Sequence, residues 1–226
     1  MAVLAMVLAI PVCLCAQTAE VTLRVQFVDT ETKRHAAPLS AEAPVVVWLS
    51  PLDRSVAPPR VAQTFHMVQK HREFVPHLLV VPVGSTIDFP NVDPFFHNVF
   101  SLFNGRRFDL GLYQTGKSKS TRFDREGVSY IFCNIHPEMG GIIVSLATPY
   151  FTTAASGAIT LSGVPAGNYM LHVWSERATQ ASMRDAERKV TVAGPGMELT
   201  PMVLRVALAN GETHKNMFGE DYGQQR

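Results

Sequence analysis

Tyr130-Ile131-Phe132-Cys133-Asn134-Ile135-His136-Pro137-Glu138-Met139-Gly140-Gly141 is the stretch whose reading decides the fold. An apolar run ends in a cysteine, a histidine follows three residues on, and a methionine three after that. A thiolate, an imidazole and a thioether on one short loop suit a soft metal ion, copper above all. Cys133, His136 and Met139 are therefore candidate ligands. A His₂Cys set with a long axial methionine also needs a second histidine from elsewhere in the fold. His97, in Pro94-Phe95-Phe96-His97-Asn98-Val99-Phe100-Ser101, is the candidate.

The spacing Cys133-x-x-His136-Pro137-x-Met139 resembles the copper loop of the small cupredoxins, the short amicyanin loop most of all. Upstream, Phe74-Val75-Pro76, then Val83-Gly84-Ser85-Thr86-Ile87-Asp88-Phe89-Pro90 and His97-Asn98-Val99 follow that family's order of strand, turn, strand and first histidine. The likeness covers roughly residues 70–146. It implies a Greek-key sandwich or barrel, a type 1 copper site, and a role for Asn98 in tying the two ligand loops together.

A chain of 226 residues, 46% hydrophobic and 17% charged, can build real cores. The net charge of +1, with no dense Lys/Arg block, argues against a nucleic-acid partner. Met1 to Pro11 is apolar and uncharged, and leads through Val12-Cys13-Leu14-Cys15-Ala16 into polar residues. That length fits a secretory signal and is too short to span a bilayer, so residues 1–19 are expected to be removed, after Ala16 or Ala19. The mature protein is then periplasmic or secreted, without a membrane span. Cys133 becomes its one cysteine, so no intramolecular disulfide forms. A buried structural thiol is the ordinary reading of such a residue; His136 and Met139 beside it favour metal.

Glu20 to Asp29 alternates apolar and polar residues, as a half-buried strand does. Pro44 to Leu49 reads as a short apolar strand stopped by Ser50-Pro51, and Gln63 to Gln69 resumes alternation. His77–Val83 and Thr86–Pro90 flank a turn in which Gly84 supplies positive φ. Asn104-Gly105 gives a hairpin signal, and Gly127–Cys133 and Gly141–Leu146 are strands. The class is all-β, with a cupredoxin-like copper-binding domain over 20–147.

After Thr148-Pro149 a second set of strands begins. Ile159-Thr160-Leu161, Val164-Pro165-Ala166-Gly167, Tyr169, Leu171 and Val173-Trp174 resemble the carboxypeptidase regulatory-like (transthyretin-like) β-sandwich. A smaller β-sandwich domain is thus expected over 148–208, followed by a flexible tail over 209–226. Such a short segment is marginal as an independent core, so it should pack on the first domain.

Phe132 and Asn134 flank Cys133, where copper oxidases and nitrite reductases place a histidine that passes electrons to a second copper. No Ser-His-acid set or phosphate-binding glycine loop is evident either. The reading is therefore not an enzyme. It is an exported type 1 copper protein carrying single electrons between periplasmic redox partners, which it meets transiently. A non-redox copper-handling protein, or a structural envelope module, is the alternative.

Overall fold

The computed structural model describes residues 18–28, 44–53, 61–102, 105–154, 158–206 and 216–218. The expected signal segment up to Gln17, Asn104 of the hairpin signal and most of the expected tail lie outside them. The described residues form eighteen strands and one short helix, an all-β protein. Before residue 60 come β1 (Thr18–Val28) and β2 (Val45–Pro51). The middle of the chain gives β3 (Thr64–His66), β4 (Val68–Lys70), β5 (Glu73–Val75), β6 (Leu78–Pro82), β7 (Ser85–Pro90) and β8 (His97–Ser101). It continues with β9 (Phe108–Tyr113), β10 (Ser118–Phe123), β11 (Gly127–Cys133) and β12 (His136–Leu146). The last part holds β13 (Phe151–Ala154), β14 (Ala158–Pro165), β15 (Gly167–Ser175), α1 (Gln180–Ala186), β16 (Arg188–Val192), β17 (Gly196–Glu198) and β18 (Met202–Arg205).

Two sheets enclose the first core. One has the order β6-β12-β11-β8-β9, the other β10-β7-β3. Val81, Ile87, Phe89, Val99, Phe123, Ile131, Cys133, Met139 and Ile143 meet between them, all deeply buried. Gly84 makes its turn at φ 94°, as its position between β6 and β7 requires. The expected single strand over 63–69 is instead broken at Met67. Its backbone N–H donates to Asp88 O at 2.9 Å, and β3 and β4 pair in different sheets.

The second core corrects the expected division of the chain. The strands after residue 148 do not close a sandwich by themselves: β1 pairs with β14, β17 and β18, while β2 lies between β13 and β15. Val21, Leu23, Val25 and Phe27 alternate inward from β1 to meet Leu161, Tyr169, Leu171 and Leu204. The shortage of apolar surface in the 148–208 segment is made up by the N-terminal strands. The sequence from 61 to 146 is thus placed between β2 and β13, and the boundaries 20–147 and 148–208 do not follow the cores.

Strand β12 joins the two halves, because both of its faces are buried. Ile143 enters the first core, while Ile142, Val144 and Leu146 pack with Val46 and Trp174 in a third cluster between the halves. His77 adds a polar link, sharing hydrogen bonds with Gly140 O at 3.2 Å and Glu176 Oε2 at 3.0 Å. The Glu176 contact is the main reason its imidazole is held above the usual histidine range.

Leu23 is fully buried in the second core. Leu23→Ala is expected to cost about 3 kcal/mol, measured by urea unfolding followed through Trp48 and Trp174 fluorescence. A variant as stable as the parent would contradict the placement of β1.

Candidate metal centre

Three of the four expected ligands come from a hairpin with a break in its register. Strands β11 and β12 pair regularly from Gly127–Ser145 to Phe132–Gly140, and then Cys133 faces His136. Only Asn134 and Ile135 lie in the turn, while Pro137, Glu138 and Met139 have no partner residue on β11. Pro137 lacks the N–H that regular pairing would need, so a bulge suits it. The bulge turns Met139 into the core, fully buried beside Cys133 in the same cluster, and leaves Glu138 exposed. Glu138 is therefore solvent-facing, as its polarity suggests. Gly141 sits where a Cβ would come within 2.9 Å of Phe74 Cβ, so no larger residue fits behind the loop.

His97 opens β8 and is fully buried. Its Nδ1 lies 3.7 Å from Cys133 Sγ, and His136 Nδ1 lies 3.4 Å from the same sulfur. One ligand atom from each of His97, Cys133 and His136 lies within 4.8 Å of the others. The two imidazole planes cross at 62°, with centroids 4.7 Å apart. Both imidazoles thus direct a nitrogen at one sulfur, an arrangement suited to a cation bound by soft and borderline donors. Among the described residues this is the one such group of His, Cys, Asp and Glu side chains.

The electrostatics favour a neutral thiol at Cys133 and a neutral imidazole at His136 until a cation arrives. Burial raises the Cys133 thiol, although the N–H groups of Asn98, Ile135 and His136 act the other way. Burial, then the charges of His97 and Arg72, hold His136 below the usual imidazole range, so its ring is ready to coordinate. A bound cation reverses the balance at sulfur by favouring the thiolate.

The loop before His97 carries a partner that composition and spacing do not announce. Asp93 is 4% exposed, and its Oδ2 lies 2.8 Å from His97 Nε2. Burial alone would raise this carboxyl, yet the amides of Arg72 and His71 and the His97 contact hold it below the usual range. Those amides donate from 2.9 and 2.6 Å, at the turn between β4 and β5 where His71 and Arg72 both take φ near 60° (59° and 60°). Two successive N–H groups in that conformation form an anion-binding nest. An ionised carboxylate only accepts, so His97 donates from Nε2 to Asp93, which leaves Nδ1, on the cysteine side, as the nitrogen that would meet a metal.

Asn91 shapes the same loop. Its Nδ2 donates to Phe95 O at 2.8 Å, and its Oδ1 accepts from Asp93 N at 3.0 Å. Phe95 then packs against both imidazoles, with centroids 5.2 Å from His97 and 5.6 Å from His136, while the Arg72 guanidinium lies over the Phe95 ring at 5.3 Å from its centroid.

Asn98 makes the link the resemblance implies. Its backbone N–H points at Cys133 Sγ from 3.5 Å, its Oδ1 accepts from Asn134 N at 3.3 Å, and its Nδ2 donates to Asp109 at 2.7 Å. The remaining described histidines stand apart. His66 faces Asp88, His71 contributes its amide, His77 links the cores, and His172 stacks on Trp48 while bonding Glu187. His35 and His214 lie outside the described residues.

No protein-family model matches the chain, and no curated protein sequence does. Among solved structures it is similar to a purple cupredoxin from Nitrosopumilus maritimus, at 27% identity over 38% of this chain and 100% of that one, with a TM-score of 0.33. A copper-containing nitrite reductase from Thermus scotoductus SA-01 matches at 25% identity over 43% of this chain and 27% of that one, with a TM-score of 0.36. A reduced amicyanin variant matches at 18% identity over 44% of this chain and 99% of that one, with a TM-score of 0.35.

Asp93→Asn keeps one acceptor but removes the charge, and sets its NH2 group against the amide of either His71 or Arg72, which donate to different oxygens. Metal affinity is expected to fall about 10–100-fold. In the metal-free protein, nitrogen-edited NMR should show His97 losing its preference for hydrogen on Nε2. An unchanged tautomer would remove Asp93 from the site.

Proposed function

We propose that this protein is an exported type 1 copper protein that carries single electrons between redox partners, with His97, Cys133, His136 and Met139 as its ligands. The observation that carries this reading is the approach of two imidazole Nδ1 atoms to one buried cysteine sulfur. Copper supplies a Cu(I)/Cu(II) couple at such a site when bound. The chain supplies the rest. Cys133 would give the soft anionic donor, His97 is oriented from behind by Asp93, and the bulge of β12 keeps Met139 inside as the fourth candidate donor. Asn98 fixes one loop against the other, which limits rearrangement when the charge of the site changes.

His136 is only half-buried, unlike His97 and Cys133, so its ring edge is the route out of the site. Phe96 and Ile135, 53% and 43% exposed, stand on the two ligand loops as apolar contacts for a transient partner. A metal held mainly by buried donors suits retention more than delivery, which favours the electron carrier over a copper-handling role. The second core, read as a carboxypeptidase regulatory-like sandwich completed by β1 and β2, serves as the scaffold.

The copper-loaded protein is expected to show an intense visible thiolate-to-copper band and narrow copper hyperfine splitting by EPR. Cys133→Ser should abolish the band, and His97→Ala or His136→Ala should disturb it. Met139→Leu should keep most of the colour and shift the potential. A fast electron self-exchange rate would support the carrier; copper bound without the band, or a band that survives Cys133→Ser, would defeat the assignment.

Export carries its own test. Strand β1 already begins at Thr18, and Ala19 is 2% exposed, so cleavage after Ala16 leaves the second core whole and cleavage after Ala19 does not. N-terminal sequencing of the periplasmic protein is expected to start at Gln17. Recovery of the protein in the cytosol with Met1 intact would overturn export.

A further inference from the structure

The expected flexible tail is not free along its whole length. Asn216 is 1% exposed, and the backbone N–H of Met217 donates to Asn134 Oδ1 at 2.8 Å. Asn216 Oδ1 in turn accepts from Phe218 N at 2.9 Å, which closes residues 216–218 into a small turn of their own. The partner on the other side matters most. Asn134 follows Cys133 directly and is one of two residues in the ligand turn. Its backbone N–H is already held by Asn98, and its side-chain carbonyl gives the turn a second point of attachment.

We infer that residues 216–218 clasp the ligand loop, positioning the Cys133–His136 turn through the hydrogen bond from Met217 to Asn134. Two anchors then hold this turn, Asn98 from the side of the first histidine and Met217 from the end of the chain. Asn134 and Met217 are positioning residues in this reading, because they act on Cys133 and His136 through the turn between them. Phe218, 72% exposed and covalently next to the contact, is carried to the ligand end of the molecule as an added aromatic surface. The clasp deepens the copper-site reading, yet its first consequence lies in the metal-free protein. Cys133 is fully buried, so reagents reach it only when the turn opens, and each added hydrogen bond makes opening rarer.

The test uses the full chain and two substitutions at one position. Met217→Pro removes the donating N–H, whereas Met217→Ala keeps it. In metal-free protein, Met217→Pro is expected to raise the rate of Cys133 alkylation by a small thiol reagent about fivefold, the effect of losing one hydrogen bond. Amide exchange over 134–138 should rise with it, while Met217→Ala should behave as the parent. A chain lacking residues 207–226 keeps every β1–β18 pairing and should show at least the Met217→Pro effect. In copper-loaded protein Met217→Pro and the shortened chain should shift the reduction potential and the thiolate band, which a tail acting only on global stability would leave in place, and Met217→Ala should leave both as in the parent. Alkylation within about twofold of the parent in both Met217→Pro and the shortened chain would overturn the clasp, as would Met217→Ala matching Met217→Pro. Failure to bind copper would defeat the copper reading and leave the alkylation result standing.

Discussion

The break in register between Phe132 and Cys133 is the constraint on which the site depends. A regular hairpin would alternate its side chains between faces and could not bring a cysteine, a histidine three residues on and a methionine three beyond that to one place. By turning in two residues and then leaving Pro137, Glu138 and Met139 unmatched, the chain faces Cys133 with His136 and drives Met139 into the core. The glycines that follow let β12 rejoin the sheet closely, Gly141 against Phe74 in particular.

The irregular end of that hairpin is held by hydrogen bonds from the polar groups around it. Asp93 lies buried under His97, where an unpaired charge would be costly, but it accepts from two amides of a left-handed turn and from the imidazole. Asn98, Asn91 and Asn134 do for the loops what ladder hydrogen bonds do for the strands. The result is a set of donors held in place before any metal binds, as preorganised sites require.

Strand β12 carries this order into the rest of the molecule. Its alternate side chains enter the first core and the contact cluster, so the ligand loop and the junction with the second core are parts of one strand. His77 crosses the same junction, bonded to Gly140 on one side and Glu176 on the other. The second core is thus mechanically continuous with the metal site although it supplies none of the candidate ligands.

The all-β class and most individual strands were legible in the sequence, because alternation and turn residues are local signals. Gly127–Cys133 matches β11, and Gly84 has the positive φ its turn demands. The candidate ligands were legible for the same reason: three share one short loop, and His97 sits in a recognisable setting. Alternation says that a strand is half-buried but not which sheet it joins, so only the tertiary structure assigned β1 and β2 to the second core. Asp93 gave no local signal either, since its role comes from a turn twenty-odd residues earlier in the chain. Nor did the Asn134–Met217 contact, made by residues 83 positions apart in a polar segment that composition alone reads as a tail. Local chemistry and spacing determined which residues can bind a metal; long-range pairing decided what holds them there.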